Sequence, residues 1–186
     1  MSHIETNLPV GRFTSKAVAN WLLDRFGKDG RPCTQLQLNK LVYIFHGWHL
    51  AVAPHGDGLI AEPVVAWKYG PVIPSLRSEF KEFGADPITR RATELIGAYE
   101  EYVPTLSDFQ PTKWEWELLN WAYNGYGRLT SWQLIQLTHQ SDSPWSIVTV
   151  GGTDVGHNKV IPNDLIRKHY RDLLQKSRTD ASGSRH

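Results

Sequence analysis

The chain has 186 residues, enough for one domain of ordinary size, and its 20 basic and 19 acidic side chains nearly cancel, which argues against a strongly basic nucleic-acid-binding surface. Cys33 is the only cysteine, so neither an internal disulfide nor a multi-cysteine zinc site can form. No apolar stretch has the length of a membrane span or the pattern of a signal peptide, and we expect a cytoplasmic protein with no membrane partner.

The first third of the sequence predicts two helices. The first begins at Thr14 or Ser15, either of which is a good N-cap, and closes at Gly27. The second follows the cap residue Thr34 and ends near the glycine-rich turn at 54–58. Apolar residues recur at three- and four-residue intervals in both: Val18, Trp21, Leu22 and Phe26 in the first, and Leu38, Leu41, Val42, Phe45 and Trp48 in the second.

The middle of the chain predicts a short β element. Extended structure is indicated from Leu59 to Tyr69 by its β-branched and aromatic residues. Gly70 then allows a sharp turn, and Pro71 has a fixed φ suited to the start of a third helix that Gly84 ends. The segment therefore predicts a strand, a tight turn and a helix. Residues 96–103 suit either a short strand or an irregular surface segment.

Three more helices are predicted in the second half, over Thr112–Tyr123, from Thr130 or Ser131 through His139, and from Pro162 onward. Residues 176–186 are small and polar, and we expect them to be disordered. The predicted fold is mainly α, a compact bundle of about six helices with a small β-hairpin inserted after the second helix.

Two histidines on the second helix are candidate metal ligands. His46 and His49 are three residues apart and point to one side of the helix, and His55 or Asp57 is a candidate third ligand. A lone histidine pair is common, and the glutamate of a zinc-protease helix is missing. We predict no metal site, with a metal-dependent enzyme as the alternative.

Other chemical motifs are weak. Cys33 lies in a turn before a helix start, a position that can lower the pKa of a thiol, but no catalytic histidine signature accompanies it. The loop Gly151–Lys159 is glycine-rich without the residue order of a phosphate-binding loop. The helix ending at His139 runs into a proline-broken turn and not into a basic recognition helix. We therefore expect no catalytic residues, no cofactor and no nucleic-acid partner. A nucleotide-directed enzyme and a DNA-binding regulator remain alternatives.

Three segments in order carry a family resemblance: Leu38-Asn39-Lys40-Leu41-Val42-Tyr43, then the run from Ala66 to Pro74, then Leu137-Thr138-His139 with Pro144-Trp145. Together they resemble the Panacea domain of SocA-like antitoxins over residues 13–175, leaving 1–12 as a lead-in and 176–186 as a tail. The matching motif positions, which we expect to serve mainly the fold, are Leu38, Lys40, Leu41, Trp67, Gly70, Pro71, Val72, His139, Pro144 and Trp145.

The resemblance implies an antitoxin that binds and neutralises a cognate protein toxin encoded by an adjacent gene, often in a prophage. It also implies a second possible partner, since one branch of the family delivers its toxin to a protease as a proteolytic adaptor. The expected contact residues are exposed side chains near the strand and turn: Tyr43, Lys68 and Tyr69. Trp67 and Trp145 are assigned to the core.

Overall fold

A computed structural model of the chain describes residues 11–54, 57–97, 99–156 and 158–183. The described chain is mainly helical, as the sequence predicts, with seven α-helices. None of its helices is long and apolar enough to cross a bilayer. The helices are α1 (Ser15–Lys28), α2 (Gln35–Val52), α3 (Pro74–Glu79), α4 (Lys113–Tyr126), α5 (Ser131–Thr138), α6 (Pro144–Val148) and α7 (Asn163–Gly183).

Helix α2 lies at the centre of the molecule. Helices α1, α3, α4, α5 and α7 all pack against it, and its residues from Leu38 to Ala51 are buried without interruption. A helix that is enclosed all round has no solvent face on which to place polar side chains. The polar residues of α2, including Asn39, Lys40 and His46, are consequently buried with the apolar ones.

The predicted N-caps of the first two helices are confirmed. The Thr14 hydroxyl accepts a hydrogen bond from the Ala17 backbone N–H. Thr34 forms a capping box with Gln37, because each side chain bonds the other residue's backbone N–H. Such caps satisfy backbone donors that the first helical turn leaves without partners.

Seven short strands form three small sheets in the described chain, where the sequence predicts a single hairpin. β1 pairs with β2 in parallel, β4, β3 and β7 form an antiparallel sheet in that order, and β5 pairs with β6. The strands are β1 (Gly11–Phe13), β2 (Gly58–Ile60), β3 (Val65–Trp67), β4 (Gly70–Val72), β5 (Glu94–Ile96), β6 (Glu100–Tyr102) and β7 (Lys159–Val160).

The predicted order of strand, turn and helix around Gly70-Pro71 is wrong. These two residues belong to strand β4, which pairs with β3. The turn between the two strands consists of Lys68 and Tyr69, immediately before Gly70 in the sequence. Pro71 is tolerated because β4 lies at the edge of its sheet. An edge strand pairs with a neighbour on one side only, so it can include a residue that has no backbone N–H donor. The helix begins instead at Pro74, which occupies its first turn.

The later parts of the chain differ in detail from the prediction. The segment predicted at 96–103 overlaps a hairpin, since β5 (Glu94–Ile96) pairs with β6 (Glu100–Tyr102). The proline-broken turn expected after His139 leads into the short helix α6, which Ser143 caps and Pro144 starts. Helix α7 continues through Gly183, so residues 176–183 are helical where disorder was expected. The Ser177 hydroxyl, for example, donates to the Leu174 carbonyl one turn back. Residues 1–10 and 184–186 lie outside the described residues.

Candidate functional site

The three resemblance segments meet around the hairpin of β3 and β4. Gly70 has a φ of +99°, in the range that favours glycine, and its surroundings leave no room for a side chain. A Cβ at this position would lie 2.6 Å from Lys40 Nζ and 2.8 Å from His139 Cε1. Residues from α2, β4 and the end of α5 are thus brought together at one glycine.

Lys40 ties the central helix to the hairpin. Its Nζ donates a hydrogen bond of 2.9 Å to the Pro71 carbonyl, and the residue is only 2% exposed. Burial lowers the pKa of the Lys40 ammonium to about 7. The neighbouring residue Asn39 also holds the hairpin, since its Oδ1 accepts from the Ile73 backbone N–H at 3.0 Å.

The last resemblance segment closes over the other side of the hairpin. The ring centroids of His139 and Trp145 are 3.8 Å apart, and Trp145 Nε1 donates to the Trp67 carbonyl at 2.8 Å. Trp145 is in the core, as predicted. Trp67 is only partly buried and its Nε1 donates to Asn158 Oδ1 at 3.3 Å, so its assignment to the core is too simple.

The tip of the hairpin faces outward. Tyr69 is 61% exposed, and Lys68 is exposed with its Nζ 5.6 Å from the centroid of the Tyr69 ring. Both side chains have the exposure that a contact residue needs. Tyr43 does not: it is 2% exposed, its ring packs against Tyr170, and its expected place on an exposed surface is wrong. The reason is that α2, which carries Tyr43, is enclosed on every side.

An apolar pocket of about 230 Å³ lies beside the hairpin. The pocket could not be predicted from the sequence, because its walls come from α2, from the hairpin and from α3 and the turn after it. Only tertiary packing brings these segments together. The only hint of the pocket in the sequence is the set of polar residues within the apolar helix α2. A polar side chain on a buried helix needs a nearby hydrogen-bond partner or a ligand. The lining residues are Gln35, Leu36, Asn39, Lys40, Trp67, Tyr69, Val72, Arg77 and Gly84.

The two histidines considered for metal binding are engaged in the interior. His46 Nδ1 accepts from the Ile60 backbone N–H at 3.3 Å, so the neutral ring donates from Nε2 to Asn163 Oδ1 at 3.0 Å. Burial lowers the pKa of His46 to about 4. Within the described ranges, no group of three or more His, Cys, Asp or Glu side chains is placed to hold a metal ion. The candidate ligand His55 lies outside them.

His49 belongs to a buried polar group that sequence reasoning also missed. Its Nδ1 is 3.0 Å from the Asp57 carbonyl, and its Nε2 is 3.5 Å from Glu115 Oε1, too far for a well-formed hydrogen bond. Burial alone would raise the pKa of Glu115, but hydrogen bonds from Thr112 and Arg12 outweigh it and lower that pKa. The group joins α2 to the start of α4 and has a structural role.

The other residues considered for catalysis, phosphate binding or DNA binding also have places in the fold. Cys33 is buried, and burial raises the pKa of its thiol to about 12, the opposite of what activates a nucleophile. In the loop Gly151–Lys159, Lys159 is part of β7 and its Nζ pairs with Asp154 at 2.8 Å. Helix α6, which follows α5, contains no Lys or Arg with which to contact DNA.

Comparison with known proteins identifies a family. A family model described as "Antitoxin SocA-like, Panacea domain" matches residues 38–146, a range that contains Lys40, Trp67, Gly70, His139 and Trp145. The chain belongs to the SocA-like antitoxin family with a Panacea domain. It is also 32% identical over 161 residues to Antitoxin SocA of Caulobacter vibrioides (strain NA1000 / CB15N), covering 84% of this chain and 82% of that protein. No solved structure matches significantly. The wider bounds of 13–175 stay a prediction.

Proposed function

We propose that this protein is an antitoxin that neutralises a cognate protein toxin by binding it directly, without catalysing a reaction. The observation that carries the proposal is the family membership, together with the 32% identity to Antitoxin SocA over most of both chains. A relative that is covered over 82% of its own length resembles this chain as a whole and not only in one motif.

The geometry of the hairpin supports a binding role. Its tip presents Tyr69 at 61% exposure next to the exposed Lys68, and Tyr69 also lines the 230 Å³ pocket. Tyrosines are enriched among the residues that dominate protein–protein affinity, because they bury a large rigid surface at small entropic cost. The strands behind the tip are fixed by Lys40 and Trp145, so the exposed side chains are held on a preorganised support.

Co-expression with the product of the adjacent gene tests the proposal. We expect that product to arrest growth when it is produced alone, and growth to recover when this chain is produced with it. A harmless neighbour, or one that remains toxic in the presence of this chain, would show that the proposal is wrong. Measuring the amount of toxin separates two mechanisms, because masking leaves it unchanged whereas delivery to a protease lowers it.

A further inference from the structure

The pocket beside the hairpin has an unbalanced charge. Lys40 and Arg77 both line it, and none of its described lining residues carries a carboxylate. The nearby acidic residue Glu79, on α3 with Arg77, is already engaged, since its carboxylate contacts Lys16 at 2.7 Å and Arg90 at 2.6 Å. The described lining of this pocket therefore carries two basic side chains and no acidic one.

Two buried polar groups in the pocket lining have unused bonding capacity. The Lys40 ammonium has three donors, and the described chain supplies one acceptor, the Pro71 carbonyl. Gln35 is 6% exposed, and its Oε1 is buried without a hydrogen-bond partner among the described residues, although its Nε2 donates to the Gly84 carbonyl. Buried polar atoms in native proteins are nearly always satisfied, so these two groups have the capacity to bond a ligand in the pocket that they line.

The size and apolar lining of the pocket restrict what it can accept. At about 230 Å³ it is below the usual range of roughly 300–1,000 Å³ for sites that enclose drug-sized molecules. One or two side chains of another protein are a better match for this volume. Leu36, Val72 and the rings of Trp67 and Tyr69 supply the apolar contact surface.

We propose that the pocket docks a segment of the toxin in which an apolar side chain adjoins a carboxylate, with the carboxylate pairing with Lys40. This inference rests on the proposed antitoxin function and specifies its contact chemistry. The apolar group lies against Trp67 and Tyr69, and the buried Gln35 Oε1 accepts a hydrogen bond from the docked segment. Charge complementarity with Lys40 and Arg77 selects an acidic segment over a neutral one of the same shape.

A pair of small probes tests this chemistry without the toxin. The acid 3-phenylpropionate and the neutral 3-phenylpropanamide have the same shape, and they are titrated at pH 6 into the full chain labelled with ¹⁵N. The readouts are the side-chain amide signals of Gln35 and Asn39 and the indole signal of Trp67. We expect saturable shifts with the acid and a Kd about tenfold lower than for the amide, the size of one charge-assisted contact.

Two variants identify the group responsible. Lys40→Met should remove most of the preference for the acid, leaving only the weaker contribution of Arg77, whereas Lys113→Met, which removes a lysine charge from the exposed start of α4, should preserve it. Equal affinity of the unaltered chain for acid and amide, or no saturable shift of the pocket signals, overturns the proposal. That comparison decides the matter even if Lys40→Met fails to fold. The growth test of the antitoxin function does not depend on either probe, so the two proposals can fail separately.

Discussion

The Nζ of Lys40 donates a hydrogen bond of 2.9 Å to the carbonyl oxygen of Pro71, and this bond joins the central helix α2 to the edge strand of the hairpin. The two residues are 31 positions apart in the chain. Each belongs to a different segment of the family pattern, so the bond connects two of these segments in space. It also fixes the base of the turn that exposes Lys68 and Tyr69.

Tyr69→Ala should weaken neutralisation while leaving the fold intact. The side chain is 61% exposed, so its removal costs little packing, but a central tyrosine of an interface is typically worth about 2 kcal/mol or more of binding free energy. The measurement is the affinity for the toxin together with the thermal unfolding midpoint. Tyr99→Ala is the matched control, because Tyr99 is 97% exposed and does not line the pocket. A large loss of thermal stability in Tyr69→Ala would make Tyr69 structural.

The buried Lys40 should make stability rise with pH. Its ordinary pKa of 10.5 applies to the unfolded chain, and its pKa in the fold is about 7, so between these values the unfolded state binds more protons. The free energy of unfolding then increases with pH by at most about 1.4 kcal/mol per pH unit from this group. Urea unfolding at pH 7.0 and 8.5 should show a larger gain for the unaltered protein than for Lys40→Met. Equal gains would mean that Lys40 is not perturbed in the fold.

Acid should destabilise the protein through His46. Its pKa falls from 6.5 to about 4 on folding, so the stability it supports is complete above pH 6.5 and is lost as the pH falls toward 4. His46→Gln keeps a donor and an acceptor but cannot titrate. We expect this variant to lose less unfolding free energy between pH 6.5 and 4.5 than the unaltered protein, by up to about 1.4 kcal/mol per pH unit. An identical acid profile would place the acid sensitivity elsewhere.

The packing of α7 on α2 should depend on Gly47. A Cβ at this position would overlap the ring of Tyr170, which is buried on α7. Gly47→Ala should therefore lower the free energy of unfolding by about 1–3 kcal/mol, the usual cost of overpacking. Gly125→Ala in α4 is the control, because its Cβ meets nothing within 4 Å, and a gain of up to about 1 kcal/mol is expected there. Denaturant unfolding of both variants checks the contrast, and an unaffected Gly47→Ala would contradict this packing.

The features that follow from local chemistry were predictable from the sequence. Thr14 and Thr34 cap their helices through bonds to residues three positions away, and such signals are complete within one turn. The mainly helical class follows in the same way from apolar spacing. The prediction of a helix start at Gly70-Pro71 is wrong because it rested on local preference alone. Pairing with β3 places these two residues in a strand.

The candidate site could be predicted only in part. The family segments marked Lys40, Gly70 and His139, but no sequence rule shows that they meet at one point, since their contacts span long stretches of chain. Exposure was harder still to predict. Tyr43 and Tyr69 appeared equivalent as candidates, and only the enclosure of α2 separates the buried residue from the exposed one.

We infer that this chain neutralises its toxin by direct stoichiometric contact, a claim that calorimetric titration of the purified toxin with the purified chain can check. We predict saturable binding at one fixed molar ratio with a Kd of about 1 μM or below, equivalent to at least about 8 kcal/mol. Growth rescue in cells without any detectable binding between the two purified proteins would contradict the claim.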